Sequence, residues 1–216
     1  MSVTVNQLNQ NNTKSINSAI SSNYLNIKRV LDVVTIIAVL PFVAVLMVVT
    51  ALAIKLESSG SVFFWQKRVG MNGKTFNMMK FRSMTSDSEQ HGSQFAQSND
   101  MRVTRVGKFI RKFRIDETPQ LWNVIKGDMS IIGPRPEQES FVNEFNQTIP
   151  NYSLRHLVRP GITGLAQTEQ GYVADADGTV TKLKYDLYYI NNLSFMTDLQ
   201  ITLKTIYTIL TGFGAR

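Results

Sequence analysis

Cysteine is missing from all 216 residues, and histidine occurs only as His91 and His156. The first absence excludes disulfides, thiolate zinc sites and cysteine nucleophiles, and it supplies no argument for an oxidising compartment. The second leaves a zinc centre or a Ser-His-Asp triad short of ligands and bases. Acid-base or nucleophilic chemistry therefore falls to carboxylates. Negative charge is scarce too: sixteen Asp and Glu face twenty-three Lys and Arg, a net charge of +7. Such a chain seeks anionic partners, whether phosphates, acidic lipid or nucleic acid, and the sign alone does not choose among them. What is plentiful is apolar side chain, 43% of the residues, enough for one domain with a packed core.

Charge is absent altogether from Val33 to Ile54, twenty-two residues bounded by Asp32 and Lys55. At ~1.5 Å per helical residue the run matches the roughly 30 Å core of a bilayer, so a membrane-inserted helix is expected over 27–56. A secretory signal fits poorly, because no small-residue cleavage pattern accompanies a run that begins only at Val33. Pro41 lies near the middle, where its missing N–H and its ring bend or break a helix into two halves. Lys28 and Arg29 precede the run and Lys55 follows it. By the positive-inside rule both flanks belong in the cytoplasm, as in a helix that dips in and returns. A kinked single span satisfies the hydropathy equally well. Residues 1–24, rich in Asn, Ser, Gln and Thr, read as a polar tail without a core of its own.

Residues 57–216 read as the catalytic or binding domain. Phe63, Phe64 and Trp65, then Phe76 and Met78, flank Gly70-Met71-Asn72-Gly73, which predicts a β-hairpin closed at Asn-Gly. The string Gly73-Lys74-Thr75 is no P-loop, since the position that pattern reserves for its first glycine is Arg68. Thr85 to Asp100 is polar and reads as a loop. From Arg102 the cations Arg105, Lys108, Arg111 and Lys112 alternate with Val106, Phe109, Ile110 and Phe113 at helical spacing. The stripe suits anionic headgroups or a phosphate pocket. Two more amphipathic helices are expected from Lys182 to Ile190 and from Leu199 to Leu210.

Asp116 and Glu117 come directly after the stripe and before Thr118-Pro119, a helix-start pattern. Taken locally, one acid caps the helix and the other complements its dipole. Their surroundings suggest more. Arg111 and Arg114 stand just before them, and Gly133-Pro134-Arg135-Pro136 places a guanidinium on a loop stiffened by two prolines, suited to bidentate phosphate recognition. Arg159-Pro160-Gly161 is a second rigid basic turn. A competing reading takes Asp175-Ala176-Asp177 as the metal-binding DxD of a glycosyltransferase. A third reads the chain as a non-enzymatic basic membrane adaptor, with the acids serving only the helix start.

The ordered set of Lys28-Arg29 with Asp32, Lys80-Phe81-Arg82-Ser83-Met84, Arg111 before Asp116-Glu117, Lys126-Gly127-Asp128-Met129-Ser130, Gly133-Pro134-Arg135-Pro136 and Arg159-Pro160-Gly161-Ile162-Thr163-Gly164-Leu165-Ala166-Gln167 resembles the bacterial sugar transferase family. These are small monotopic polyprenyl-phosphate phosphoglycosyl transferases, and the likeness runs from about residue 27 to 212. It implies an α+β monotopic membrane protein with a re-entrant helix broken near Pro41, interfacial amphipathic helices and a small β-hairpin. Members of the family often carry Ser before that proline; here it is Leu40. The implied roles are nucleophile for Asp116, Mg²⁺ ligand for Glu117 and phosphate binding for Arg135, supported by Arg111, Lys80, Arg82 and Arg159. The implied activity moves a sugar-1-phosphate from a UDP-sugar to polyprenyl (undecaprenyl) phosphate through an aspartyl-phosphosugar. It would take place on the cytoplasmic face of the inner membrane, initiating exopolysaccharide, capsule or glycoconjugate synthesis. Membrane lipids then join the two substrates as partners, and nucleic acid drops out.

Overall fold

The computed structural model describes residues 23–85, 101–170 and 176–211. A single long helix, α1 (Tyr24–Glu57), leads into an antiparallel hairpin of β1 (Phe63–Val69) and β2 (Thr75–Phe81). The hairpin reverses as expected, with Asn72 and Gly73 both at positive φ. Then come α2 (Arg105–Lys112), a 3-10 turn (Ile115–Gln120), α3 (Leu121–Lys126), β3 (Ser130–Ile132) and α4 (Glu139–Thr148). A second 3-10 turn (Tyr152–Leu157), β4 (Gly161–Thr163), α5 (Leu165–Glu169), α6 (Ala176–Asn191) and α7 (Phe195–Thr211) complete the described chain. The fold is mixed helix and small sheets, as expected, and the two C-terminal amphipathic helices are α6 and α7.

Burial along α1 follows an unusual pattern. Lys28, Asp32 and Ile36 are buried at intervals of four near one end, and Thr50 and Ile54 likewise near the other. Between them Ile37, Phe42, Val45 and Val49 lie open, Phe42 at 80% exposure. Both ends therefore pack on the domain, while the apolar stretch between them is largely exposed. Ile36 joins a core cluster with Met78, Val124 and Met129. Ile54 joins another with Phe81 and Ile110. Polar contacts repeat the arrangement: Lys28 pairs with Asp198 of α7 at 2.7 Å, and Arg29 donates to the carbonyl of Ile125 in α3 at 2.8 Å. At the other end Glu57 accepts from the backbone N–H of Arg105 at 2.8 Å. Pro41 lies inside this one helical element.

The largest core cluster joins β1, β3, α4, α6 and α7, where Val69, Ile132, Val142, Leu187, Ile190 and Ile201 pack together. The two basic proline turns identified in the sequence meet here backbone to backbone. β3 and β4 pair in parallel, Gly133 N–H donates to Thr163 C=O at 2.9 Å and Gly161 N–H to Pro134 C=O at 2.9 Å. A Cβ on Gly161 would sit 2.1 Å from the Gly133 nitrogen, so only glycine permits the approach.

Candidate active site

The basic stripe forms a helix, but a shorter one than its cations suggest. Thr104 caps it, its hydroxyl accepting from Gly107 N–H at 2.9 Å, so Arg102 and Val103 lie outside. Val103 instead bridges to Met84. α2 ends at Lys112, and Arg114, in the left-handed region at φ 55°, turns the chain sharply into the 3-10 turn that carries the acids. Asp116 and Glu117 sit in the first turn of this element, and neither caps it: the N-cap position is Arg114, with no side-chain cap bond. The local expectation for one acid fails here, because the tight 3-10 geometry carries both carboxylates away from the leading N–H groups.

Both acids are nonetheless buried, at 9% and 6% exposure. Glu117 Oε1 accepts from Arg135 Nη2 at 2.6 Å and from Lys80 Nζ at 3.4 Å. The Asp116 carboxylate makes no hydrogen bond or ion pair among the described residues. Their protonation behaviour diverges accordingly. Burial, reinforced by the neighbouring Glu117 charge, pushes the Asp116 carboxyl up to about 6. Burial also acts to raise Glu117, but Arg135 and Lys80 overcome it and hold that carboxyl well below the usual range. Two adjacent acids thus have unequal characters: one locked as an anion in an ion-pair cluster, the other unpartnered and poised near neutrality.

The elements that hold this cluster explain its geometry. Asn123 of α3, fully buried, donates to Asn77 C=O at 2.8 Å and accepts from Met79 N–H at 3.0 Å. That pins the acid turn to β2, with Lys80 next along the strand. Arg135 is fixed from behind through its own main chain: Arg155 Nη2 donates to Arg135 C=O at 2.8 Å while pairing with Asp186 at 2.7 Å. Arg68 donates to the Pro136 carbonyl at 3.2 Å, and Glu137 draws in both Arg68 and Lys182. Asn123, Arg155, Asp186 and Arg68 escaped the sequence reading. A buried Asn on an apolar helix face was a readable signal for the first; the others lie in segments whose contacts are set only by the fold.

The remaining expected residues divide. Arg111 lies close enough to Asp116 to favour its anion. Arg82 instead reaches the exit of α1, donating to Ser59 C=O at 2.7 Å and to Ser58 C=O at 2.8 Å. Arg159 donates to Gly127 C=O at 3.0 Å and lines a separate small recess with Lys28, Arg29 and Asp32. Asp175 lies outside the described residues, as does the side chain of Asp177, whose backbone opens α6. No group of three His, Asp or Glu able to hold a metal occurs among the described residues.

Comparison with known proteins bears on the same region. The chain is 58% identical over 193 residues, 89% of its length, to an Aeromonas hydrophila protein named UDP-N-acetylgalactosamine-undecaprenyl-phosphate N-acetylgalactosaminephosphotransferase. It is 41% identical over 190 residues to a Caulobacter vibrioides UDP-glucose:undecaprenyl-phosphate glucose-1-phosphate transferase, covering 87% of this chain and 71% of that one. A Klebsiella pneumoniae transferase of the same name is 40% identical over 182 residues, 83% of this chain. The chain spans 46% of the Aeromonas protein and 39% of the Klebsiella protein. The model of the family described as bacterial sugar transferase matches residues 23–212, the whole stretch from the first turn of α1 past the end of α7. With the acid pair, its cation cluster and the apolar helix all inside that match, the chain belongs to the bacterial sugar transferase family.

Proposed function

We propose that the protein transfers a sugar-1-phosphate from a UDP-sugar to undecaprenyl phosphate, yielding UMP and the polyprenyl-diphosphate sugar that opens surface-glycan or glycoconjugate synthesis. The observation that carries the reading is the unequal acid pair: Glu117 bound by Arg135 and Lys80 beside an unpartnered, buried Asp116. An ionised Asp116 oxygen attacks the sugar-side phosphorus of the donor. The bond from that phosphorus to the UMP oxygen breaks, and UMP leaves with the electron pair. An oxygen of the lipid phosphate then attacks the same phosphorus, the aspartyl-oxygen bond breaks, and the carboxylate is restored. Arg135 and Lys80, held by Glu117, offset charge on the transferring phosphoryl group.

Mg²⁺ suits this donor set. One oxygen of Glu117 is engaged by cations, while its Oε2 forms no hydrogen bond among the described residues, and Mg²⁺ needs few protein carboxylates when phosphate oxygens and water complete its shell. Glu117 would hold it, and the bound ion supplies neutralisation of the diphosphate. The pattern of α1, bound to the domain at both ends and bare at the middle, supports a helix that enters the cytoplasmic leaflet and returns around Pro41.

The test is UMP release from a panel including UDP-N-acetylgalactosamine and UDP-glucose, with Mg²⁺ and undecaprenyl phosphate, comparing wild type with Asp116→Asn. Release confined to the wild type is expected. Undiminished release by the variant removes Asp116 as nucleophile, and release of UDP in place of UMP converts the reading to sugar transfer without its phosphate.

A further inference from the structure

Beside the acid pair lies an open cleft of ≈ 220 Å³ between the 3-10 turn and α7, with Arg114 and Glu117 at its edge. Leu121, Ile131, Ile162 and Ile209 supply apolar walls, and five threonines line the remainder. Those threonines have no hydroxyl donor left over for an occupant. Thr118, Thr168, Thr205 and Thr208 each bond through their hydroxyls to a carbonyl of their own turn, at 2.8, 3.0, 2.8 and 2.8 Å. The Thr163 hydroxyl is paired with that of Thr205 at 2.8 Å. Their methyl groups and hydroxyl lone pairs are what remain for an occupant. Gln167 uses one amide N–H on Ile162 C=O at 3.1 Å, and its Oε1 is buried without a partner.

A sugar or a uridine needs several converging donors, and the threonine hydroxyls of this wall have already spent theirs on the protein. The cleft is also smaller than the roughly 300–1,000 Å³ usual for sites that enclose a drug-sized ligand, too small for a whole nucleotide sugar. An apolar chain fits both facts. Just past the lining residues, Trp122 is 52% exposed beside Leu121 and Leu210 is 78% exposed beside Ile209. Exposed apolar side chains therefore stand next in sequence to a lining residue of each wall, on the elements a lipid would approach.

We propose that this cleft receives the first isoprenoid units of the lipid acceptor, with the acceptor's phosphate directed to the Arg114 and Glu117 edge. The assignment rests on the function proposed above and adds to it where the lipid lies. Ile209 and Leu121 then act in acceptor recognition, while the donor is held from the Arg135 side.

In a double-displacement reaction kcat/KM for each substrate reports its own half-reaction, so the two can be read separately. Filling the cleft with Ile209→Trp is expected to lower kcat/KM for undecaprenyl phosphate by about tenfold or more while kcat/KM for the UDP-sugar falls less than about twofold. Equal losses on both substrates, a loss on the donor alone, or no loss on the acceptor would overturn the assignment. A second measurement needs no variant: wild-type protein is irradiated with a polyprenyl phosphate carrying a diazirine in its first isoprene unit. Labelled peptides are expected from α7 or the 3-10 turn, and labelling confined to other segments overturns the assignment. Wild-type protein that releases no UMP with any donor contradicts the proposed function itself, a result distinct from all of these.

Discussion

At the scale of single residues, the two acids make opposite contributions to stability. Asp116 has an ordinary value of 3.8 and a folded value of about 6, so folding takes up a proton between those pH values. Its contribution is most favourable below pH 3.8 and declines as pH rises through 6; at neutral pH the ionised, buried carboxylate is a net cost. Asp116→Asn should therefore abolish turnover yet raise the apparent melting temperature in detergent, by about 1–2 kcal/mol equivalent. Glu117→Gln should do the reverse for stability, costing about 2–4 kcal/mol because Arg135 and Lys80 lose their buried counter-charge. A melting temperature unchanged in both variants would contradict this account of the pair. The same titration sets the pH profile: kcat/KM for the donor should rise with pH through about 6, as Asp116 ionises, and then level off. Arg155 is a positioning residue for Arg135. Arg155→Ala should lower donor kcat/KM by about tenfold or more through misplacement of the Pro134–Pro136 loop, and Arg155→Lys should restore part of it, whereas a purely structural role would appear only in melting.

At the scale of elements, α1 is held to the domain by polar locks as well as by apolar packing. Asp198 accepts from Tyr24 at 2.5 Å, Lys28 at 2.7 Å and Tyr189 at 2.9 Å, tying α1 to α6 and α7. Asp198→Ala strands the buried Lys28 and should cost about 3–5 kcal/mol, read as earlier unfolding in detergent. The lack of native cysteine allows a clean topology measurement. Ser22→Cys and Ser61→Cys, one before and one after α1, should both react with an impermeant thiol reagent only when the cytoplasmic side is open. Labelling of Ser22→Cys from outside would establish a single span.

How much of these elements could be read from the chain depended on whether their causes were local. The hairpin was legible because Asn72-Gly73 supplies its positive φ angles, and α6 and α7 because their apolar spacing is helical. The turn at Asp116 was legible as a concentration of charge but not as a shape. A helix-start pattern assigns capping to one of the acids, whereas the chain instead turns at a left-handed Arg114 into a 3-10 element followed by α3, which Asn123 ties to β2. Arg82 and Arg159 illustrate the same limit. Both stand in motifs with phosphate-binding chemistry, yet their guanidinium groups are engaged by carbonyls of Ser58, Ser59 and Gly127, partners that only the tertiary fold brings within reach.

At the scale of the whole molecule, charge and apolar surface divide the work of meeting the membrane. The net charge of +7 draws the domain to anionic lipid, an attraction that salt screens. The bare middle of α1 holds it there by burial that salt does not weaken. Washing membranes with 1 M salt should accordingly leave the protein in the pellet, and detergent should release it; release by salt alone would mean that α1 is not inserted. The re-entrant seating proposed for α1 would displace lipid from one monolayer only. So seated, the protein would act as a wedge rather than a rivet: its seating would depend on lateral pressure in the facing monolayer and not on the span to the opposite side. Thickening the bilayer with longer acyl chains should leave turnover nearly level, whereas crowding the facing monolayer with cone-shaped lipids should change it.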